Sequence, residues 1–384
     1  TAGVPLYRMF LLVPLLHPLY VGSGYIWRRS VEGIEQTYGE HGARERPEFK
    51  KNPIRLILDE NYAAVRRRIP TDYVEGEFTL IDDLVKEGAT DYVAMALEFT
   101  NGHRAAISFT SDQPSGFNGE QLAQLYSLLP LISRLVERTN LEQTAINILD
   151  AYVGHRAGQR ILDGHITRGS RDSIYAGIWF CDLRSFTTLS DKTSRDQVIS
   201  LLNSFFETMA EPVLSHGGEV MKFIGDAMLA VFPVEGPEQK RKICSEMLEA
   251  AKEAVAGMAL LNEQRATFGE MPIDYGLALH IGEVDYGNIG AAGRLDFTVI
   301  GPAVNFAERI EQLCKRVPER PVLSEGFAGY CNLPVKPLGR FELAGLEGDH
   351  AIYSIADGDD MGDEDPVSAP DPRPAGNGRI QIAR

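Results

Sequence analysis

The chain has 384 residues, room for two domains, and its 44% hydrophobic and 24% charged content is that of a globular protein able to bury a core. A net charge of −16 and a pI of about 5.0 exclude general nucleic-acid binding, because a phosphate backbone demands a basic surface. Four scattered cysteines (Cys181, Cys244, Cys314, Cys331) form no C-x-x-C pair, so they read as reduced thiols rather than zinc ligands.

The most apolar run, residues 9–16, is too short to span a bilayer and is interrupted by Pro14. It lacks the charged flank and cleavage site of a signal peptide, so it reads as a buried strand; the chain starts at Thr1, which leaves an upstream piece open. Residues 91–99 and 104–109 read as strands joined at Asn101-Gly102, a hairpin signal. From Asn118-Gly119-Glu120 a helix is expected with Leu122, Leu125, Leu128, Leu129, Ile132 and Leu135 on one side. Residues 1–138 therefore form one α/β domain. It weakly resembles small-molecule sensor domains of the GAF type, and a purely structural or dimerising role is equally open.

Residues 139–170 carry apolar positions at helical spacing. They read as a signalling helix between domains or as a linker helix packed on its own domain. In residues 171–357, strand-like runs at 175–183, 219–224, 227–232, 273–282, 295–300 and 350–355 alternate with helical runs at 195–210, 238–264 and 303–316. That order fits an α+β, ferredoxin-like βαββαβ domain with extra strands. Residues 358–384 form an acidic, Pro-rich tail expected to be disordered.

Asp182 ends a nearly all-apolar strand, where a charge is costly to bury unless it is paired or metal-bound. It could also cap a helix starting near Phe186. Asp226 follows Gly225 at a hairpin turn, which taken alone is common turn chemistry. If the two strands are neighbours, the carboxylates meet at one end of a sheet and divalent cations resolve their repulsion. Pro302 suits the first position of a helix that places Asn305 and Arg309 on one face, able to hold a ribose and a phosphate or simply to face solvent. Alternation puts Lys222 on the face of Val220 and Ile224, where it needs an acceptor or snorkels to the surface.

The motifs F-C-D-L-R-S-F-T, G-G-E-V-M-K-F-I-G-D-A-M-L-A-V-F and T-V-I-G-P-A-V-N-F-A-E-R, in this order, resemble those of the class III adenylate and guanylate cyclases over residues 173–356. The resemblance implies that Asp182 and Asp226, assisted by the Leu183 carbonyl, bind two Mg²⁺ or Mn²⁺ ions per site. It implies that Lys222 and Thr298 read the purine and together favour ATP over GTP, and that Asn305 and Arg309 serve the transition state. Thr at position 298 occurs in a branch some of whose members respond to bicarbonate. The implied reaction is ATP to 3′,5′-cyclic AMP and pyrophosphate, at a site shared by two chains of a cytoplasmic homodimer regulated by the N-terminal domain and any small ligand it holds. A guanylate cyclase and a non-catalytic nucleotide sensor are the alternatives; no G-G-D-E-F-like run points to a diguanylate cyclase. Two positions depart from the family pattern. Leu343-Ala344-Gly345 stands where the family often has L-K-G, so either nucleotide affinity is lower or Arg340 substitutes for the missing cation, and Ser185 replaces a common Gly, with little effect expected.

Overall fold

A computed structural model describes residues 3–186 and 193–356 and divides between Tyr152 and Val153 into two compact units.

The first unit is an antiparallel sheet of β1 (Arg8–Pro14), β2 (Tyr20–Arg28), β3 (Glu35–Glu40), β4 (Ala64–Arg68), β5 (Asp91–Glu98) and β6 (Arg104–Ser111), in the order β3-β2-β1-β6-β5-β4. The run at 9–16 is thus a strand, although only part of it is buried. The hairpin expected at Asn101-Gly102 joins β5 to β6, with Gly102 at φ +83°. Short helices α1 (Pro47–Lys50), α2 (Ile54–Leu58), α3 (Ile69–Asp72) and α4 (Thr79–Lys86) follow β3 and β4, and Ile54, Ile57, Ile81 and Leu84 from α2 and α4 pack on one face with Tyr92 and Ala94.

The other face packs α5 (Gly119–Val153) through Leu122, Leu125, Leu129, Ile132 and Val136. Leu128 and Leu135, expected on the same side, stay exposed. At 100° per residue the buried set forms one stripe, and those two leucines fall about a quarter-turn off it. This helix runs unbroken through the stretch read from sequence as the start of a separate linker, and Gly154 at φ +89° ends it.

The second unit opens with α6 (His155–Leu162), whose Ala157 and Ile161 pack in its core. Its sheet is built on β7 (Arg171–Leu183), β8 (Glu219–Ile224), β9 (Ala227–Val234) and β10 (Tyr275–Ala291), in the spatial order β10-β7-β9-β8. With α7 (Arg195–Ser215) and α8 (Lys240–Thr267) between them, this is the βαββαβ ferredoxin-like arrangement expected from the sequence. A capping box of Ser194 and Gln197 starts α7. Strand β7 reads as continuously apolar because both its faces are covered. Trp179, Cys181 and Leu183 point into a core with Phe205 and Met209 of α7 and Met247 and Ala251 of α8. Ala176, Ile178 and Phe180 point the other way, toward Phe297 and Val299 of β11 (Arg294–Ile300) and Ala303 and Ala307 of α9 (Pro302–Gln312).

Two short stretches were not foreseen. Strand β12 (Val322–Ser324) pairs in parallel with β10, and β13 (Val335–Glu342) pairs with β14 (Asp349–Ile355) to extend the sheet. Helix α10 (Glu325–Ala328) follows β12. The acidic tail lies outside the described residues. Among the described residues no helix is long and apolar enough to cross a membrane.

Candidate functional site

Asp182 sits one residue before the end of β7, paired on one side with Ala227 of β9 and on the other with Gly276 of β10. Alternation continues the Ala176-Ile178-Phe180 face to Asp182, so a carboxylate ends an apolar row. Asp226 occupies the β8–β9 turn, where Gly225 takes φ +65°. The Leu183 N–H donates to the Asp226 carbonyl at 3.3 Å, which ties the turn to the end of β7. The two carboxylates therefore converge. Burial, and after it the negative charge of Asp226, hold the Asp182 carboxyl above its usual range. A pair of acids in that state is a ready site for a divalent cation, which takes oxygen ligands and relieves both penalties. Phe186, near which the sequence predicts the start of the helix that Asp182 could cap, is helical, and residues 187–192 lie outside the described residues.

Beside Asp182 lies a buried ion pair that sequence reasoning missed. Arg184 donates through Nη2 to the Glu311 carboxylate and, at 2.8 Å, to the Glu311 backbone carbonyl. The side chains are 8% and 3% exposed. Burial pushes Glu311 up to about 7, against the pull of Arg184. Gly276 makes room for this pair, since a Cβ there would overlap both the Glu311 carboxylate and the Arg184 guanidinium. The pair fastens α9 to the strand end that carries Asp182. Ser185, expected to be an innocuous replacement for Gly, adopts φ +58°. An L-residue takes that conformation at a cost of about 1 kcal/mol, so the replacement is not neutral for the backbone.

Helix α9 buries Ala303, Ala307, Ile310 and Glu311. Asn305 is exposed and Arg309 half-buried, and each lies about 200° around the helix from a buried alanine. They share a face turned away from their own sheet, and the Arg309 guanidinium approaches its neighbour Glu308 at 3.8 Å. Among the described residues no ion pair joins Arg309 to Asp182 or Asp226.

Lys222 departs from simple alternation. Strand β8 carries a bulge between Val220 and Lys222, so two residues oppose one on β9 and the phase shifts. Val220 packs with the α7–α8 core, whereas the Lys222 ammonium donates to Asp296 of β11. Thr298, two residues along β11 from Asp296, is buried, and its hydroxyl has no hydrogen-bond partner among the described residues. Arg340 on β13 donates to the Asp349 carbonyl, and Ala344 lies exposed in the turn after that strand.

Residues 170–320 match the family described as the adenylate and guanylate cyclase catalytic domain, over the stretch that holds the paired acids, β11 and α9. The chain carries a cyclase catalytic domain of this family. Similar proteins include "Adenylate cyclase 1" of Rhizobium meliloti (strain 1021), 27% identical over 293 residues that make up 72% of this chain and 43% of the relative. "Adenylate cyclase" of Anabaena cylindrica is 34% identical over 174 residues, 44% of this chain and 33% of the relative. The terminal-differentiation specific adenylate cyclase of Dictyostelium discoideum is 32% identical over 169 residues, 42% of this chain and 8% of the relative. The chain thus spans less than half the length of these curated relatives. Among solved structures, a bacterial light-regulated adenylyl cyclase aligns over 68% of this chain and 85% of its own, at 20% identity and a TM-score of 0.49. The cyclase domain here encloses three features that its motifs alone do not display: the Arg184–Glu311 pair, the bulge before Lys222 and the Lys222–Asp296 pair.

Proposed function

We propose that this chain is an adenylate cyclase that converts ATP to 3′,5′-cyclic AMP and pyrophosphate at a site assembled from two copies. One observation carries the shared-site reading: Asp182 and Asp226 converge, while Asn305 and Arg309 face away from them on the outer side of α9. A second copy brings its α9 face to the acids of the first, and two such sites form under two-fold symmetry.

In this reading Asp182, Asp226 and the Leu183 carbonyl would hold divalent cations, Mg²⁺ or Mn²⁺, two per site, which would make the ribose 3′-hydroxyl more acidic and offset the charge of the triphosphate. Lys222 and Thr298 grip the purine and Asn305 orients the ribose, which sets the 3′-oxygen in line with the α-phosphorus. That oxygen bonds to phosphorus, the bond to the α,β-bridging oxygen breaks, pyrophosphate departs and the 3′-hydroxyl proton passes to solvent water. Arg309 stabilises the charge that grows on the α-phosphate. The first unit acts as a sensor that regulates turnover through α5 and α6, and the protein works in the cytoplasm, where ATP is supplied.

The test mixes two inactive variants. Asp182→Ala and Arg309→Ala chains, co-refolded, restore one intact site per heterodimer and recover cyclic AMP production. Activity no higher than either variant alone rejects the shared site. A wild-type chain that binds ATP with Mg²⁺ or Mn²⁺ yet forms no cyclic nucleotide rejects turnover itself.

A further inference from the structure

On one face of the first unit's sheet, four polar side chains are buried with atoms that lack a hydrogen-bond partner among the described residues: Arg8 at Nη1, and the hydroxyls of Tyr92, Ser108 and Thr110. Arg8 is 6% exposed and the other three are fully buried. The strand register gathers them. Arg8 of β1 lies directly opposite Thr110 of β6, and Thr110 lies directly opposite Tyr92 of β5. Directly opposed residues share a face, so these three make one row across three neighbouring strands. Ser108, two residues from Thr110 on β6, shares that face in the next row. Burial takes the Tyr92 phenol up to about 12, against the pull of Ser108 and Arg8 close by, so the phenol keeps its proton and can donate.

The cation decides what this patch suits. Among the described residues no ion pair joins Arg8 to an acid. The acids whose charge it feels, Glu87 and Glu35, accept from Tyr7 and Arg28 instead. A buried charge is costly unless it is paired. The guanidinium is a planar fork of donors that matches carboxylate oxygens, and the three hydroxyls beside it can donate to the same anion. One positive charge balances one negative charge, whereas a dianion such as phosphate leaves a buried charge uncompensated. The surroundings are apolar: the Phe10 ring centre lies 5.5 Å from the Arg8 guanidinium carbon, and Tyr92 belongs to one cluster with Ile81 and Leu84 of α4.

We propose that this face of the first unit binds a small monocarboxylate, with its ionised head on Arg8, Tyr92, Ser108 and Thr110 and a short apolar body beside Phe10. This names a ligand class for the sensor role given above, and it rests on that role only for its regulatory meaning, since binding is independent of turnover.

The experiment is titration calorimetry of the full chain with sodium butyrate, against inorganic phosphate and chloride at matched ionic strength, with thermal melts of the same samples. The wild type binds butyrate and melts higher in its presence, because a ligand of the native state stabilises it, and phosphate and chloride do neither. Arg8→Met deletes a buried unpaired charge, so without ligand it melts no lower than the wild type, while its butyrate affinity falls about 10-fold or more. Arg8→Lys keeps the charge without the fork and falls between the two. Tyr92→Phe removes one donor and weakens butyrate by about 3-fold, a check that does not depend on replacing the arginine. Arg8→Met and Tyr92→Phe chains that bind butyrate as tightly as the wild type overturn the proposal. So does a wild type that binds no butyrate, or one that takes phosphate as tightly. A chain that binds butyrate and never makes cyclic nucleotide fails the cyclase reading and not this one.

Discussion

The Arg184–Glu311 pair makes the sharpest test of how this domain is held together. At 8% and 3% exposure the two side chains have lost nearly all their water. Removing one partner of such a pair leaves the other charge buried and uncompensated, at a cost of about 3–5 kcal/mol. Glu311→Ala does this, although the Glu311 backbone carbonyl still accepts from Arg184 at 2.8 Å, so the lower end of that range applies. For a unit of this size the loss lowers the melting temperature by roughly 10 °C. Replacing both partners, as Arg184→Met with Glu311→Leu, removes the desolvation penalty along with the attraction, and costs little or stabilises by about 1–4 kcal/mol.

Trp179 is fully buried in β7, and Trp27 is the other of the two tryptophans, so a Trp27→Phe background isolates the signal of the second unit in urea unfolding. The pH dependence adds a signed check. Burial raises Glu311 from 4.5 to about 7, so the native chain keeps a proton that the unfolded chain releases. The stability this group contributes is full below pH 4.5 and declines until the pH passes 7. Glu311→Gln flattens that slope. A Glu311→Ala loss below about 1 kcal/mol at pH 8 would refute the claim that the pair is dehydrated.

Other substitutions probe separate features. Ser185→Gly relieves the φ of +58° and gains about 0.5–1 kcal/mol in urea unfolding; a less stable glycine variant rejects the strain. His216 meets Glu246 and Glu253 at 3.0 Å each, and these hydrogen bonds raise its pKa. Its contribution is full below pH 6.5 and lost as the pH rises through the raised value, so His216→Gln lowers the melting temperature at pH 6 and leaves it nearly unchanged at pH 9, by no more than about 1 kcal/mol. Thr298→Val replaces a buried hydroxyl that lacks a partner with a methyl group of similar shape, so it stabilises the free chain slightly while weakening nucleotide binding. A drop in both refutes that account.

Much of the second unit was legible because its signals are local. The unbroken apolar run of β7, the Gly225-Asp226 turn and the Pro302 helix start each announce themselves within a few residues. The short β12 has too few residues to show alternation, and β13 is broken by Pro337 and Gly339, so neither stood out. Sequence alternation misplaced Lys222 because a bulge leaves no mark in composition. The Arg184–Glu311 contact joins residues 127 apart, beyond the reach of any local pattern. Asp296 was within reach, since an acid at i−2 from Thr298 shares its strand face, but nothing in the sequence says that β8 comes alongside. In the first unit, Leu128 and Leu135 misled because apolar residues outnumber the positions that one helical stripe can bury.

The bulge in β8 has a second effect, on how the protein behaves in a crowded solution. Strand β8 ends the sheet, and Phe223 and Ile224 near its tip are 53% and 48% exposed. A straight edge with an apolar rim invites another chain to add a strand and begin a fibre or an aggregate. The irregularity between Val220 and Lys222 bends that edge and breaks the regular row of donors and acceptors a newcomer would need. The kink that turns Lys222 toward Asp296 therefore also guards the colloidal stability of the chain, and an engineered variant with β8 straightened would meet a solubility problem first.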